Sequence, residues 1–418
     1  MSTRTGAGTV VVVDAYASAR CLAPLFRARG YDCVHVQTTP EIPPNYRAFY
    51  RPADFSANIV HDGDPVATAA AVAAHAPIAL IAGIERAVIL ADELGERLGL
   101  PTNGTALSAC RRDKFEMVET IKAAGVPGAG QILAGDLDTL LQWYGDTARP
   151  VVLKPVSSAG NDGVHLCDDV TEVRKAFETL IGTTSALGQA NRAVLAQDYL
   201  AGFEYIVNTV GVDGEHHVCD MWKMHHLDAN GVAGQAVGSE LLPRHGPEQE
   251  QIVAYTLRVL DALGIRNGPA HTELKLTPDG PRLIETGARV CGADLHVLSG
   301  GGLGESQLDW TVLAATDPAE FARRRQEDYR IERHARIINL LSPVEGVLAG
   351  YPRMDLVRQL PSFHGTWFRV NPGDPIHRTV DDWTFPGRIY LLHEDESVVA
   401  RDTNTVRYLD GDGFYELR

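Results

Sequence analysis

The chain has 418 residues, 44% of them hydrophobic and 22% charged, enough for two to four domains with substantial cores. Its formal net charge of −16 argues against a nucleic-acid partner, whose backbone rewards clustered Lys and Arg, but not against ATP, whose phosphates need only a few local cations. No segment nears the ~18 apolar residues of a membrane span, the N-terminal residues lack a signal-peptide pattern, and Cys21, Cys33, Cys110, Cys167, Cys219 and Cys291 lack CxxC spacing, so a cytoplasmic protein with reduced thiols is expected.

Residues 9–105 alternate strand and helix. Val10–Val13 reads as a buried strand, followed by a helical run over Ser18–Arg29 that Gly30 stops. Cys33–Gln37 and Ile78–Ala82 are further strands, and Glu85–Leu98 is a helix, a pattern that predicts a parallel α/β sheet. The turn Asp14-Ala-Tyr-Ala-Ser18 has no glycine fingerprint, which weighs against a dinucleotide-binding Rossmann site.

From residue 106 the pattern becomes α+β. A helix over Asp113–Ala124 is closed by Gly125-Val-Pro127, and strands at Pro150–Pro155 and Val164–Cys167 flank the polar loop Ser157–Gly163. Strands at Ala193–Ala196, Tyr205–Val212 and Val218–Met224 and a helix over Glu248–Leu263 come next. A charged helix is predicted over Phe321–Arg333, before a strand-rich tail with many Pro and Gly turns. The expected domains are 1–105, 106–200, 201–333 and 334–418.

The most informative stretch is His271–Arg289, two alternating strands around Pro278-Asp279-Gly280, which suits a three-residue turn with glycine in the left-handed position. That register sets Glu273 across from Glu285, with Lys275 and Leu283 on the same face and Leu274, Leu276 and Ile284 turned to the core. Opposed carboxylates destabilise a sheet. A hard divalent cation between them, Mg²⁺ or Mn²⁺, removes the conflict; two solvated glutamates on an edge hairpin are the plainer alternative.

Lys154 interrupts a valine-rich strand, and a buried lysine needs a partner: a phosphate, a salt bridge, or a stem that snorkels to water. The small residues of Ser157-Ser-Ala-Gly-Asn-Asp-Gly163 let backbone N–H groups cradle an anion, or simply make a hairpin loop. Lys114 alone reads as a solvated helix face. Gln197-Asp-Tyr-Leu200 ends a strand and offers backbone groups to a purine edge, with Glu204 in reach of ribose hydroxyls.

In this order, Lys114, Lys154, small-residue loop, hinge with Glu204, then Glu273 and Glu285, the chain resembles the ATP-grasp superfamily over roughly residues 106–320. The resemblance implies an ATP-grasp fold of class α/β and α+β: an N-terminal parallel α/β domain, two lobes that sandwich the nucleotide, and a small strand-rich C-terminal lobe. It also implies Lys114 and Lys154 on the phosphates; Ser157, Ser158, Gly160 and Gly163 in the loop that closes over them; Gln197, Asp198, Tyr199 and Leu200 at adenine; Glu204 on ribose; and Glu273 and Glu285 on Mg²⁺. Three positions depart from the family pattern. Gln197 stands where glutamate is usual, Gly287 where many members have asparagine, and Lys275 where an apolar residue often packs on adenine.

Ala270-His-Thr-Glu-Leu-Lys275 followed by Ile284-Glu-Thr-Gly-Ala-Arg-Val-Cys-Gly292 looks like the L-amino-acid-ligase branch of the family. That implies an ATP-dependent carbon–nitrogen ligase acting through an acyl-phosphate, with Arg289 and the backbone at Gly292 stabilising the reacting centre and a homodimer as its assembly. Glu240 is a candidate for an ammonium group or a plain surface charge, and His271 for a substrate or phosphate contact. His225, His226, His245 and His296 are weaker acid–base candidates. Two alternatives stand beside this reading: a different acceptor class, purine-biosynthetic or carboxylase-like, and an inactive ATP-binding regulatory protein. Against the first, residues 219–246 carry only Lys223 and Arg244 and no Met-Lys-Met biotinyl segment exists; against the second, the lysines and carboxylates are all present.

Overall fold

The computed structural model describes residues 7–147, 150–156, 163–184 and 190–418. Strands β1 (Thr9–Val13), β2 (Asp32–Gln37), β3 (Ala57–Val60) and β4 (Pro77–Ala82) form a parallel sheet in the order β3-β2-β1-β4. Both faces of β1 are covered, which is why its valines run without alternation. Val10 and Val12 pack on helix α1 (Leu22–Ala28), while Val11 and Val13 share a cluster with α2 (Pro65–Ala73) and α3 (Val88–Leu98). The helices expected from Ser18 and Glu85 begin as 3-10 turns, Ala17–Cys21 and Glu85–Ala87.

Helix α4 (Lys114–Ala123) starts where Asp113 accepts hydrogen bonds from the N–H groups of Phe115 and Glu116, and Gly125 at φ +75° closes it. Just before it, Arg111 is 1% exposed and donates to Asp92 of α3, to the carbonyls of Asn103 and Gly104, and to those of Leu263 and Gly264. One guanidinium therefore joins the N-terminal sheet's last helix to the chain entering the large sheet. Arg111→Met would leave Asp92 buried without its cation, and a loss of about 3–5 kcal/mol is expected. Denaturant unfolding checks this; an unchanged midpoint would refute it.

A second sheet, antiparallel, contains β5 (Gln131–Ala134), β6 (Val151–Pro155), β7 (His165–Cys167) and β8 (Val194–Asp198) in the order β5-β8-β6-β7. Helices α5 (Leu137–Thr147) and α6 (Val170–Leu180) cover one face, against Val151 and Leu153. Alternation turns Val152 and Lys154 to the other.

The third sheet has eight strands. Long β9 (Phe203–Val212), β10 (Glu215–Ala229) and β11 (Val232–Leu241) precede helix α7 (Pro247–Ala262) and the hairpin of β12 (Gly268–Thr277) and β13 (Gly280–Gly287). Helices α8 (Leu295–Leu303), α9 (Gln307–Thr316) and α10 (Pro318–Arg324) follow, then β14 (His334–Asn339), β15 (Gly346–Gly350), α11 (Met354–Arg358), β16 (Phe363–Phe368), β17 (Pro375–Ile376), β18 (Gly387–His393), α12 (Glu396–Leu409) and β19 (Glu416–Leu417). The large sheet runs β13-β12-β9-β10-β11-β14-β18-β16, so the expected division at 333/334 passes through it. Gly238 of β11 sits where a Cβ would meet the Ile337 carbonyl at 2.1 Å, a close approach that requires glycine within a strand.

The charged helix expected over Phe321–Arg333 ends at Arg324. Its charges pair locally, Arg323 with Glu320 at 2.6 Å and Arg324 with Glu327 at 3.1 Å, and also across the fold, Arg324 with Glu305 at 2.7 Å and Arg325 with Glu215 at 2.9 Å.

Candidate active site

The two glutamates do face each other, but by a different route from the expected one. Gly280 takes φ +95°, and next to the turn Thr277 pairs with Gly280 and Leu274 with Leu283, one residue off the predicted register. A β-bulge at Ile284 then restores Glu273 opposite Glu285. The bulge corrects two side-chain assignments. Leu283 is buried with Leu274 in the core, and Ile284, expected there, lines the cavity beside Glu285.

That cavity, of about 610 Å³, lies between the second sheet and the eight-stranded one. Lys114 reaches it from the first residue of α4, Lys154 from the uncovered face of β6, and Gln197, Asp198, Tyr199 and Leu200 from the end of β8. Glu204 of β9, His271, Glu273 and Lys275 of β12, and Glu285, Arg289 and Gly292 at and beyond β13 complete the set. Lys275 Nζ stands 5.3 Å from the Tyr199 ring centroid, and the Gln197 side chain is held by Gln131 at 2.7 Å. Ser157, Ser158 and Gly160 fall outside the described residues. Gly163, at φ +68°, packs toward Pro155 and Leu180, while its neighbour Val164 lines the cavity.

The charges are concentrated at one end. Lys114 pairs with Glu285. Arg289 Nε donates to Glu85 at 2.9 Å, and Arg112 donates to the other oxygen of Glu85 at 2.6 Å. Burial, with Lys114 beside it, pushes the Lys154 ammonium down to about 7, against the opposing charges of Glu204 and Glu273. Burial likewise raises Glu204 to about 8, aided by the negative charge of Glu273. Burial opposes ionisation of Glu273 as well, but its hydrogen bond from His271 and the charges of Arg289 and Lys114 outweigh that and hold it at about 2.

His271 is used on both sides. Its Nε2 lies 3.0 Å from Glu273 and its Nδ1 2.7 Å from Asn208 Oδ1; Asn208 in turn donates to Asp220, which also accepts from Trp222 Nε1 at 2.8 Å. Both ring nitrogens face groups of the protein, which sets the histidine to orient the Glu273 carboxylate. Glu240, open in the sequence between an ammonium contact and a plain surface charge, is not among the residues that line the cavity. Its neighbours Ser239 and Leu241 turn toward the cavity and the α8 core, which by alternation sends Glu240 to the opposite face. There it pairs with Arg336 at 2.9 Å and His225 at 3.2 Å. Of the other histidines only His226 lines the cavity, 3.7 Å from Glu204, while His245 is tied to Glu250 and Asp328 at the surface and His296 is buried in α8. The sequence reading missed Glu85, Arg112 and the Asn208–Asp220 relay.

Two opposed carboxylates supply hard oxygen donors, and among the described residues no group of three or more His, Cys, Asp or Glu side chains forms a protein-only metal cage. That donor set fits Mg²⁺, which is commonly held by one or two carboxylates with substrate phosphates completing the shell.

Residues 147–296 match the family model described as an ATP-grasp domain. Dapdiamide A synthase of Enterobacter agglomerans is 35% identical over 100% of this chain and 99% of its own length. The chain belongs to the ATP-grasp superfamily, in its amino-acid-ligase branch. This ATP-grasp ligase is also similar to an L-arginine-specific L-amino acid ligase of Bacillus subtilis, 21% identical over 52% of each chain. The crystal structure of an L-amino acid ligase from Bacillus licheniformis superposes with a TM-score of 0.75 over 98% of this chain and 99% of that one, at 18% identity. The chain is an ATP-dependent ligase that forms amide bonds.

Proposed function

We propose that the ligase joins two amino acids, or an amino acid and a related carboxylic acid, through an acyl-phosphate, with release of ADP and phosphate. The observation that carries this reading is the convergence of Lys114, Lys154, Glu273, Glu285 and Arg289 on one cavity. Relatives named as L-amino acid ligases support the substrate class.

In this reading the substrate carboxylate attacks the γ-phosphate of ATP and ADP leaves. An amine then forms the C–N bond while the acyl C–O bond breaks and its electrons depart on phosphate. Lys114 and Lys154 offset phosphate charge. Arg289 holds an oxygen pair at the reacting end, where a guanidinium fork matches phosphoryl and acyl oxygens. Mg²⁺ held by Glu273 and Glu285, or Mn²⁺ in its place, supplies charge neutralisation to the phosphates. Gln197, Asp198, Tyr199 and Leu200 flank adenine with Lys275, Glu204 takes the ribose, and the 157–163 loop excludes water.

The same reading makes residues 1–105, 106–200, 201–333 and 334–418 its functional units, a homodimer its assembly and the cytoplasm its location. No helix among the described residues is long and apolar enough to cross a membrane.

The test is phosphate release from MgATP with amino acids offered singly and in pairs, with product masses recorded. Release that needs a pair, and yields ADP with a mass equal to both acids less water, establishes the reading; ATP binding without turnover on any pair refutes the acceptor class.

A pH dependence follows from Lys154. Only its cation serves a phosphate, and in the free protein that cation is lost as pH rises through about 7. MgADP affinity should therefore fall on the order of tenfold between pH 6 and pH 8, the effect of one linked proton. Lys154→Arg, which stays charged, should flatten the profile in calorimetric titrations; a flat wild-type profile would remove phosphate binding from Lys154.

A further inference from the structure

The main cavity continues past the strands that carry the nucleotide residues, over β11, β14 and β18. Met224, Ser239, Leu295 and Ile337 make that end largely apolar; Arg388 and Asp382 enter it from the C-terminal region, and Asp228 of β10, which accepts from the Gly234 N–H, lines the same cavity. Arg388 and Asp382 are both held in place. Arg388 Nε donates to Asn339 at 3.1 Å, and its guanidinium carbon lies 4.7 Å from the Phe385 ring centroid. Arg369 stands 4.5 Å from the same centroid and donates to the Trp383 carbonyl, so the segment that carries Asp382 is pinned at Trp383 and at Phe385.

Neither charge is paired. Among the described residues no ion pair engages Arg388 or Asp382, although the two are near enough for the arginine to stabilise the carboxylate in part against burial, which raises it to about 6. An unpaired cation and an unpaired anion, both half-buried, are costly to keep in one cavity unless a third species bridges them. A phosphate would suit Arg388 and be repelled by Asp382; a metal ion would do the reverse. A molecule with a carboxylate and an ammonium on one carbon satisfies both, and that molecule is an α-amino acid.

We propose that Arg388 and Asp382 bind the amine-donating amino acid, the guanidinium on its α-carboxylate and the aspartate on its ammonium. Of the two substrates, this is the one whose carboxylate passes through the reaction unchanged, so a permanent cation is matched to it. The inference rests on the ligase reading above, and its test separates the two.

The probes are the twenty proteinogenic L-amino acids and their C-terminal amides, titrated calorimetrically into the full chain loaded with MgADP. Wild type should bind at least one acid ten-fold or more tightly than its amide. Arg388→Met should bind that acid and amide equally weakly, Asp382→Asn should weaken both, and MgADP affinity should be unchanged in each variant, which reports an intact fold. Arg388→Lys, which keeps the charge, should recover part of the preference. In turnover, KM should rise at least ten-fold for the acid that becomes C-terminal in the product, while KM for ATP and for the other acid stays constant. Wild type that binds none of the acids, variants that retain the acid-over-amide preference, or a KM change confined to the N-terminal residue of the product would each overturn the assignment. If wild type turns over no pair but Arg388→Met still abolishes acid binding, the ligase reading fails and the subsite stands.

Discussion

Glu273→Gln is expected to lower kcat by about 10³-fold, the upper range for removing one group aimed at developing charge. Glutamine keeps the size of the side chain and can still meet His271 Nε2, now 3.0 Å from the carboxylate, so the loss would be one of charge. Glu285, the other carboxylate of the opposed pair, would then face the cation alone. His271→Leu should cost less, about 10–100-fold, since it removes the orientation of Glu273 and spares the oxygen donors themselves. Steady-state phosphate release at saturating Mg²⁺, with melting curves to confirm folding, separates the two. If the glutamine variant kept a tenth of wild-type turnover, Glu273 would not be a metal ligand.

The site was partly legible in the sequence because its central pair sits on one hairpin, where local rules apply. Even there two irregularities were invisible: the register beside the turn and the bulge at Ile284 each shift the pairing by one, and only their combination returns Glu273 to Glu285. The N-terminal sheet was readable because β1 is buried on both faces and so declares itself as an unbroken valine run. Glu240 stayed open between an ammonium contact and a plain surface charge because its strand, weakened by Gly234 and Gly238, shows no clear alternation from which to take a phase. Glu85 lies far in the chain from the pair Asp382 and Arg388. Nothing in their local sequence distinguishes them, since what brings Glu85 to Arg289 and the pair to the cavity is tertiary packing. The arginine and glutamate run of 321–333 misled in part for the same reason, as Arg324 and Arg325 also pair with Glu305 and Glu215 on other elements.

Arg289→Lys is expected to reduce kcat by about 10²-fold although the charge is conserved. Arg289 spends Nε on Glu85 at 2.9 Å and one terminal nitrogen on the Val290 carbonyl at 3.0 Å, which fixes the plane of the guanidinium. The donors left over face the cavity shared with Gly292. A lysine ammonium offers a point charge and cannot keep Glu85 while also presenting two parallel donors to the reacting oxygens. Glu85→Gln should cost about tenfold, because it loosens Arg289 without removing it, and it acts from the turn that follows the N-terminal sheet. The two changes should not add. If Glu85 works through Arg289, the double variant should turn over no more slowly than Arg289→Lys alone, the signature of residues in one hydrogen-bonded chain. Fully additive losses would mean that Glu85 serves the site by another route, through Arg112, which it holds at 2.6 Å on its other oxygen. Arg112→Met would then reproduce the Glu85→Gln defect, whereas the Arg289 route predicts that it does not.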